Sequence, residues 1–366
     1  MSGSVYGTIY KVSTFGESHG GAIGTVIDGC PAGMELSEED IQRYLDRRKP
    51  GQSRFSTARN ESDRAEILSG VFEGKTLGTP IAVLIQNEDQ RSKDYDELKN
   101  VYRPGHADFG FDEKFGFRDH RGGGRSSGRE TAGRVAAGAV AAKLLSGLGI
   151  SVNAFTRSIG EFIVPEEITD LDEALNNPFC IPDHHVCMEA ARYVDSLREK
   201  GDSAGGVIEC RIEGLKPGIG EPVFDKFDAE LSKAVMSIGA VKGIEFGDGF
   251  KVSKSSGSEN NDPFRIRNGK VVKKSNHSGG VLGGMSDGET LIFRAAVKPT
   301  PSISMPQETV TRDGKECNIM IKGRHDPVIV PRAVVVVESM AAIVTADLIL
   351  RNMASKYGRI VEFYRS

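Results

Sequence analysis

The chain has no tryptophan and only five cysteines among 366 residues. The cysteines, at 30, 180, 187, 210 and 317, form no C-x-x-C pair and leave an odd count. A disulfide framework and a cysteine-clamped metal are thereby excluded, and reduced thiols in a cytoplasmic protein are expected. Neither sign of charge dominates, since 47 Lys and Arg stand against 51 Asp and Glu for a formal net charge of −4. A general nucleic-acid binder is basic overall, so the basic residues here must serve local sites. The opening M-S-G-S-V-Y-G lacks the basic and apolar pattern of a secretory signal. No clean apolar run spans a bilayer: the most apolar stretch, Ala333 to Leu350, is broken by Glu338 and Asp347 and reads as a buried helix. No histidine pair has the i,i+4 spacing of a zinc helix, so no metal is expected, and a serine hydrolase is not expected either.

Glycine is abundant, with 44 residues. The richest stretch is Phe117 to Arg134, F-R-D-H-R-G-G-G-R-S-S-G-R-E-T-A-G-R, in which five arginines surround three consecutive glycines. Glycine lets the backbone come close to a ligand, a helix start presents unpaired N–H groups, and arginine offers paired donors to phosphate oxygens. The segment is therefore expected to hold phosphate. It is no Walker loop, because no G-K-[ST] follows it, and it lacks the G-x-G-x-x-G spacing.

Similar turns recur. Thr14 to Gly21 reads T-F-G-E-S-H-G-G, Arg47 to Arg54 reads R-R-K-P-G-Q-S-R, and Arg103 to Asp108 reads R-P-G-H-A-D. Further on come G-G-V-L-G-G-M-S-D-G at 279–288, K-P-T-P-S-I-S at 298–304 and G-R-H-D-P at 323–327. Together they describe a site rich in arginine, histidine and glycine, suited to polyanions.

The patterns predict strands at 22–27, 81–86, 206–212 and 290–297, the last with Leu291, Phe293, Ala295 and Val297 on one face. Helices are expected from Ser37 to before Pro50, over 130–148 with Gly133 and Gly138 allowing close packing, from Asp183 to Gly201, and over 227–238 and 331–351. Helices and strands do not alternate one for one, so an α+β layered arrangement fits better than a doubly wound sheet. A faint echo links 24–33 with 206–218. Residues 253–278 are polar and turn-rich and are expected to form a long, flexible loop or flap within a single domain, 1–366.

These motifs, in this order from Gly7 to about Arg351, resemble chorismate synthase. The resemblance implies a layered β-α-β sandwich with long active-site loops, assembled as a homotetramer. It implies a lyase that converts 5-enolpyruvylshikimate 3-phosphate to chorismate and phosphate by anti-1,4-elimination, the last step of the shikimate pathway. Reduced FMN is required in that family without net redox change, and some members reduce their own FMN with NADPH. By the same resemblance His19 matches the histidine that protonates the departing phosphate, His106 the one near the flavin, and Asp326 the carboxylate linked to a flavin proton. Arg125, Ser126, Ser127, Gly239, Ala240, Gly283, Lys298, Pro299, Thr300, Pro301, Ser302 and Arg324 match flavin-contacting positions. Arg48, Arg54, Arg129 and Arg134 are the candidates for the substrate's phosphate and carboxylates. In the segment S-I-G-A at 237–240, some relatives carry asparagine in place of Gly239.

Two other readings compete. The R-G-G-G-R-S-S-G-R run resembles RNA-binding Arg/Gly segments, but the acidic net charge and the lack of nearby stacking aromatics oppose it. A flavoprotein oxidoreductase would need a nicotinamide site, which no G-x-G-x-x-G marks.

Overall fold

The apolar run near the C-terminus becomes the centre of the fold. In the structure, a computed structural model that describes residues 3–56, 61–88, 98–168, 170–321 and 326–365, it forms the helix Val330–Asn352 with Pro331 in its first turn. By length and composition this helix could cross a membrane despite its two acids, but it is buried inside the protein, and each acid has a task there. Glu338 takes a paired contact from Arg47 at 2.7 and 2.8 Å and the Ala154 amide at 3.2 Å. Asp347 accepts from the amides of Thr8, Ile9 and Tyr10, closing the first turn of the chain. A buried carboxylate is tolerated when its lone pairs are met by donors in this way.

Numbering only the strands of the two main sheets, the first contains β1 (Val5–Tyr6), β2 (Lys11–Phe15), β3 (Ala22–Asp28), β4 (Ala65–Ser69) and β5 (Ile81–Gln86). The second contains β6 (Ser151–Ile159), β7 (Phe162–Ile163), β8 (Gly206–Glu213), β9 (Val241–Phe246) and β10 (Leu291–Val297). Both are antiparallel, in the orders β1-β2-β3-β5-β4 and β9-β10-β8-β6-β7. The two echoing segments supply the middle strand of each sheet, β3 and β8. Leu291, Phe293, Ala295 and Val297 are all buried on one face of β10, as their alternation predicts.

The main helices are α1 (Glu38–Arg48), α2 (Thr131–Ser146), α3 (His184–Lys200), α4 (Phe227–Met236) and α5 (Val330–Asn352). Helix α2 packs on the first sheet and α5 on the second, and the two helices pack against each other. The result is the layered β-α-β sandwich. Their crossing depends on Gly138, where a Cβ would lie 2.3 Å from Ser339 Cβ, closer than atoms can approach. The start signals hold as well. Ser37 and Asp40 form a reciprocal capping box, while Asp183 caps α3 through the Val186 amide and Gly201 ends it in the left-handed region.

Residues 253–278 hold more local structure than their composition suggests. They include a hairpin of Phe264–Arg267 with Lys270–Lys273. The buried Lys273 ammonium anchors it, donating to Asp262, Asn276, Ser278 and Asp287. A charge taken out of water requires such a full set of partners, and no composition signal reports that set.

Candidate active site

The segment 117–134 is the hub on which the other glycine turns converge. Arg125 donates to the carbonyls of Gly16 and Thr14 at 3.1 Å each, and to the Thr14 hydroxyl at 2.6 Å. It thereby ties the hub to the loop that carries His19. That histidine is 7 % exposed, and the Ser18 hydroxyl lies 3.1 Å from its Nδ1. Gly122, with φ +81°, presses on the ring: a Cβ there would stand 2.6 Å from His19 Cε1. Only glycine meets both demands, the left-handed backbone and the missing side chain.

The second histidine sits where two loops meet. The His106 amide closes its own turn on the Arg103 carbonyl at 3.2 Å. Its Nδ1 lies 2.9 Å from the Pro104 carbonyl, and the Ser302 hydroxyl lies 3.0 Å from Nε2. A carbonyl only accepts, so Nδ1 carries the proton and Nε2 takes the Ser302 hydrogen. Lys298 donates to the Gly105 carbonyl at 2.8 Å, and its amide donates to Ala240 O at 2.9 Å. Gly239 in turn faces the Ser126 carbonyl, 4.0 Å from where a Cβ would stand. The contacts form a closed circuit: the 14–19 loop, the hub, the 103–108 turn, the 298–302 loop and the 237–240 turn. Ala240 has φ +72°, a strained conformation for a residue with a side chain, of the kind that concentrates at functional sites.

Beneath the hub lies a buried carboxylate. Asp63 accepts from Arg48 Nε at 3.0 Å, from a second nitrogen of Arg48 and from Arg129. Arg129 also reaches Asn87 Oδ1 at 2.8 Å and the Gln86 carbonyl at 3.0 Å. Burial pulls Arg48 down to about 10 despite Asp63, with Arg332 and Arg129 adding to the effect, so it stays cationic at neutral pH. Arg134 pairs with Glu130 at 2.9 Å and touches the hydroxyl and carbonyl of Ser237. Asp326 pairs with Arg332 at 2.6 Å, and Arg332 donates to the Arg48 carbonyl at 3.1 Å. Asp326 therefore joins on the Arg48 side.

Of the residues named from the sequence, the structure brings His19, His106, Asp326, Arg48, Arg125, Ser126, Ser127, Arg129, Arg134, Gly239, Ala240 and the 298–302 loop into this one connected region. Arg54 and Gly283 stand apart from the circuit among the contacts of the described residues. Arg54 is exposed, pairs with Asp195 at 2.9 Å and lies over the Phe55 ring. Gly283 turns the small hairpin 281–286, whose neighbour Gly284 abuts Lys226 and Glu221. Arg324 lies outside the described residues. Asp63, Arg103 and Asp108 were not singled out beforehand as site residues, and only the last two sat within a motif that marked them.

The hub is folded into the surrounding loops through its arginines, Arg125 to the 14–16 turn, Arg129 to Asn87 and Arg134 to Ser237, and so is not an extended tail of the RNA-binding kind. Four stretches, Gly16–Gly20, Gly124–Gly128, Gly201–Gly205 and Gly284–Gly288, spell G-x-S-x-G. None joins a strand directly to a following helix: three lead into strands, and Gly124–Gly128 leads into α2 with no strand before it, so none presents its serine as a nucleophile elbow does. A cavity of about 480 Å³ lies away from the circuit, between α1, α2 and β6. Its charges are already paired, Asp40 with Arg43 and Lys143, and Glu338 with Arg47.

Residues 10–350 match the family model for chorismate synthase. The chain belongs to the chorismate synthase family. It is 60 % identical over 365 residues to the chorismate synthase of Lachnospira eligens, covering all of both chains. It is 58 % identical over 366 residues to that of Lachnoclostridium phytofermentans, again end to end, and 52 % identical to that of Paramagnetospirillum magneticum across 97 % of this chain and 99 % of the other. A chorismate synthase crystal structure superposes with a TM-score of 0.77 at 32 % identity, over 98 % of this chain and 97 % of that one. The fold is thus that of chorismate synthase and the chain is an enzyme, a lyase of the shikimate pathway.

Proposed function

We propose that the chain converts 5-enolpyruvylshikimate 3-phosphate to chorismate and inorganic phosphate by anti-1,4-elimination, with reduced FMN as cofactor. The observation that carries the reading is the circuit itself, in which two histidines from separate glycine turns are linked to one arginine-rich hub, His19 against Gly122 and His106 through Arg103. The residues present fit a flavin. The 125–127, 237–240 and 298–302 segments adjoin, Gly239 leaves side-chain space beside Ser126, and the Thr300 hydroxyl is buried without a partner among the described residues. Arg125, Ser126, Ser127, Gly239, Ala240 and Lys298 to Ser302 would hold it, with Gly283 and Arg324 as further contacts of the family kind. When bound, reduced FMN supplies the transient electron density that lets phosphate leave, at no net redox cost.

The protein's own groups do the rest. In the elimination the C3–O bond to phosphate and the C6–H bond break and a new double bond forms. His19, enclosed by Ser18 and Gly122, donates a proton to the departing phosphate. Arg48, Arg129 and Arg134 meet charge on the substrate, and fixed cations in a dry site act without reorganising. Arg54 completes the family set from the outside. Asp326, held by Arg332, accepts the proton on the flavin side.

His106 acts as a neutral imidazole. Burial, and then the Arg103 cation with Lys298 adding, push it down to about 4 against the opposing pull of the Pro104 carbonyl and Asp108. Its folded value lies below the ordinary ~6.5, so the unfolded chain binds the proton first. The stability tied to this group is complete above ~6.5 and is lost as the pH falls towards the folded value. Chorismate formation is expected to show no ionisation of His106 between about pH 5 and 8. An acid limb near 6.5 that disappears in a His106→Gln variant would overturn this.

The decisive assay is phosphate release and chorismate absorbance from 5-enolpyruvylshikimate 3-phosphate without oxygen, with reduced and with oxidised FMN in parallel. Turnover is expected only with reduced flavin. Equal turnover in both would remove the flavin from the proposal. NADPH added to the oxidised sample then tests whether the protein reduces its own cofactor. The family's homotetramer is part of the proposal, and sizing at four 39.5 kDa chains checks it.

A further inference from the structure

Arg103 and Asp108 are 7 % and 6 % exposed, and beyond their charge at His106 neither has a task in the chemistry set out above. Asp108 Oδ2 accepts from the Arg103 amide at 3.1 Å and from its Nε at 2.8 Å, while Oδ1 accepts from Nη2 at 2.8 Å. Arg118 approaches the same carboxylate at 3.3 Å. The fork is therefore fixed in plane and direction. Arg103 Nη2 then donates to the Gly122 carbonyl at 3.1 Å. Gly122 is the residue pressed against the His19 ring. On its other side, the Arg103 carbonyl receives the His106 amide at 3.2 Å. One residue thus closes the turn of one histidine and holds the backstop of the other.

We propose that Arg103, locked by Asp108, is a positioning residue that sets His19 and His106 relative to each other. A buried ion pair adds little net stability over an apolar pair of the same shape. What a two-pronged guanidinium–carboxylate contact supplies is direction, which a lysine cannot reproduce. The proposal rests on the reading of the two histidines as the site's proton-handling groups. The charged groups that face His106 are Arg103 and Asp108 from its own turn and Lys298 from the opposite loop, with the Ser302 hydroxyl beside it.

The test is the reactivity of each histidine in the full-length protein. Diethyl pyrocarbonate modification of His19 and His106 is followed by peptide mass spectrometry between about pH 5 and 8, alongside kcat and KM. In the wild type the His106 rate is expected to stay nearly level across that range. In Arg103→Met, His19 is expected to react several-fold faster and the His106 rate to fall on acidification. Its kcat should drop about 10- to 100-fold, the scale of a misplacement near 1 Å, with KM little changed. Arg103→Lys keeps the charge and loses the fork, so His19 should still react faster while the His106 profile stays level. Wild-type reactivity of both histidines with unchanged kcat in folded Arg103→Met would overturn the proposal. Should that variant fail to fold, Arg103→Lys and Asp108→Asn decide it, and wild-type His19 reactivity in both would refute it. The modification needs no turnover, so a wild type that forms no chorismate would sink the proposed function while the histidine rates still judged Arg103.

Discussion

Replacing His19 by alanine is expected to lower chorismate formation by about 10²- to 10⁴-fold, the range that a positioned proton donor contributes. Phosphate leaving carbon needs its developing charge met as the bond breaks, and His19 is the buried imidazole at the hub, 7 % exposed and backed by Gly122. The substitution leaves in place the Arg125 contacts that tie the hub to the 14–19 loop. The fold should therefore survive, which circular dichroism and a thermal midpoint close to wild type would verify. Gly122→Ala should reach a similar deficit by another route. Its new methyl would stand 2.6 Å from His19 Cε1 and must displace the ring. Full turnover in folded His19→Ala would end the assignment. Full turnover in Gly122→Ala alone would mean that the ring tolerates the shift.

Most of the architecture was open to sequence reading because its causes are local. The Ser37–Asp40 box, the Asp183 cap, the alternation along β10 and the small residues of α2 each act within a few positions or on one face. The glycine turns were readable for the same reason. Long-range pairing was not. Nothing near Asp63 in the chain distinguishes it from the exposed Glu66 three positions on, since its partners Arg48 and Arg129 are supplied by α1 and by the hub. Arg54 shows the converse limit, because a motif places it beside Arg48 while the end of α1 turns it outward to Asp195. Lys273 belongs with Asp63: a polar composition announced a loop, and the buried ammonium that organises it depends on acids up to 14 positions away.

Asp63→Asn is expected to be the most destabilising single change at the site. The carboxylate is fully buried and is shared by Arg48 and Arg129, themselves buried. Removing its charge leaves two guanidiniums facing one neutral amide, and breaking a buried pair in this way costs about 3–5 kcal/mol. Burial alone would raise the Asp63 carboxyl, but the Arg48 and Arg129 cations outweigh it and hold it below its ordinary value. A depressed carboxyl contributes stability above its unfolded value, near 3.9, and loses it as the pH falls through the folded one. Urea unfolding at neutral pH should thus separate wild type and variant widely, while a control at the exposed Asp313 should not. On acidification the two curves should converge, because protonated Asp63 is as neutral as the asparagine. A neutral-pH difference below about 1 kcal/mol would mean that Asn87 and the buried Glu61, 3.6 Å from Arg129, suffice for the arginines. A large difference that persists below the folded value would place the loss in packing rather than charge. Arg48 also donates to the Gly128 carbonyl at 3.4 Å, so convergence would tie the footing of the arginine hub to one charge.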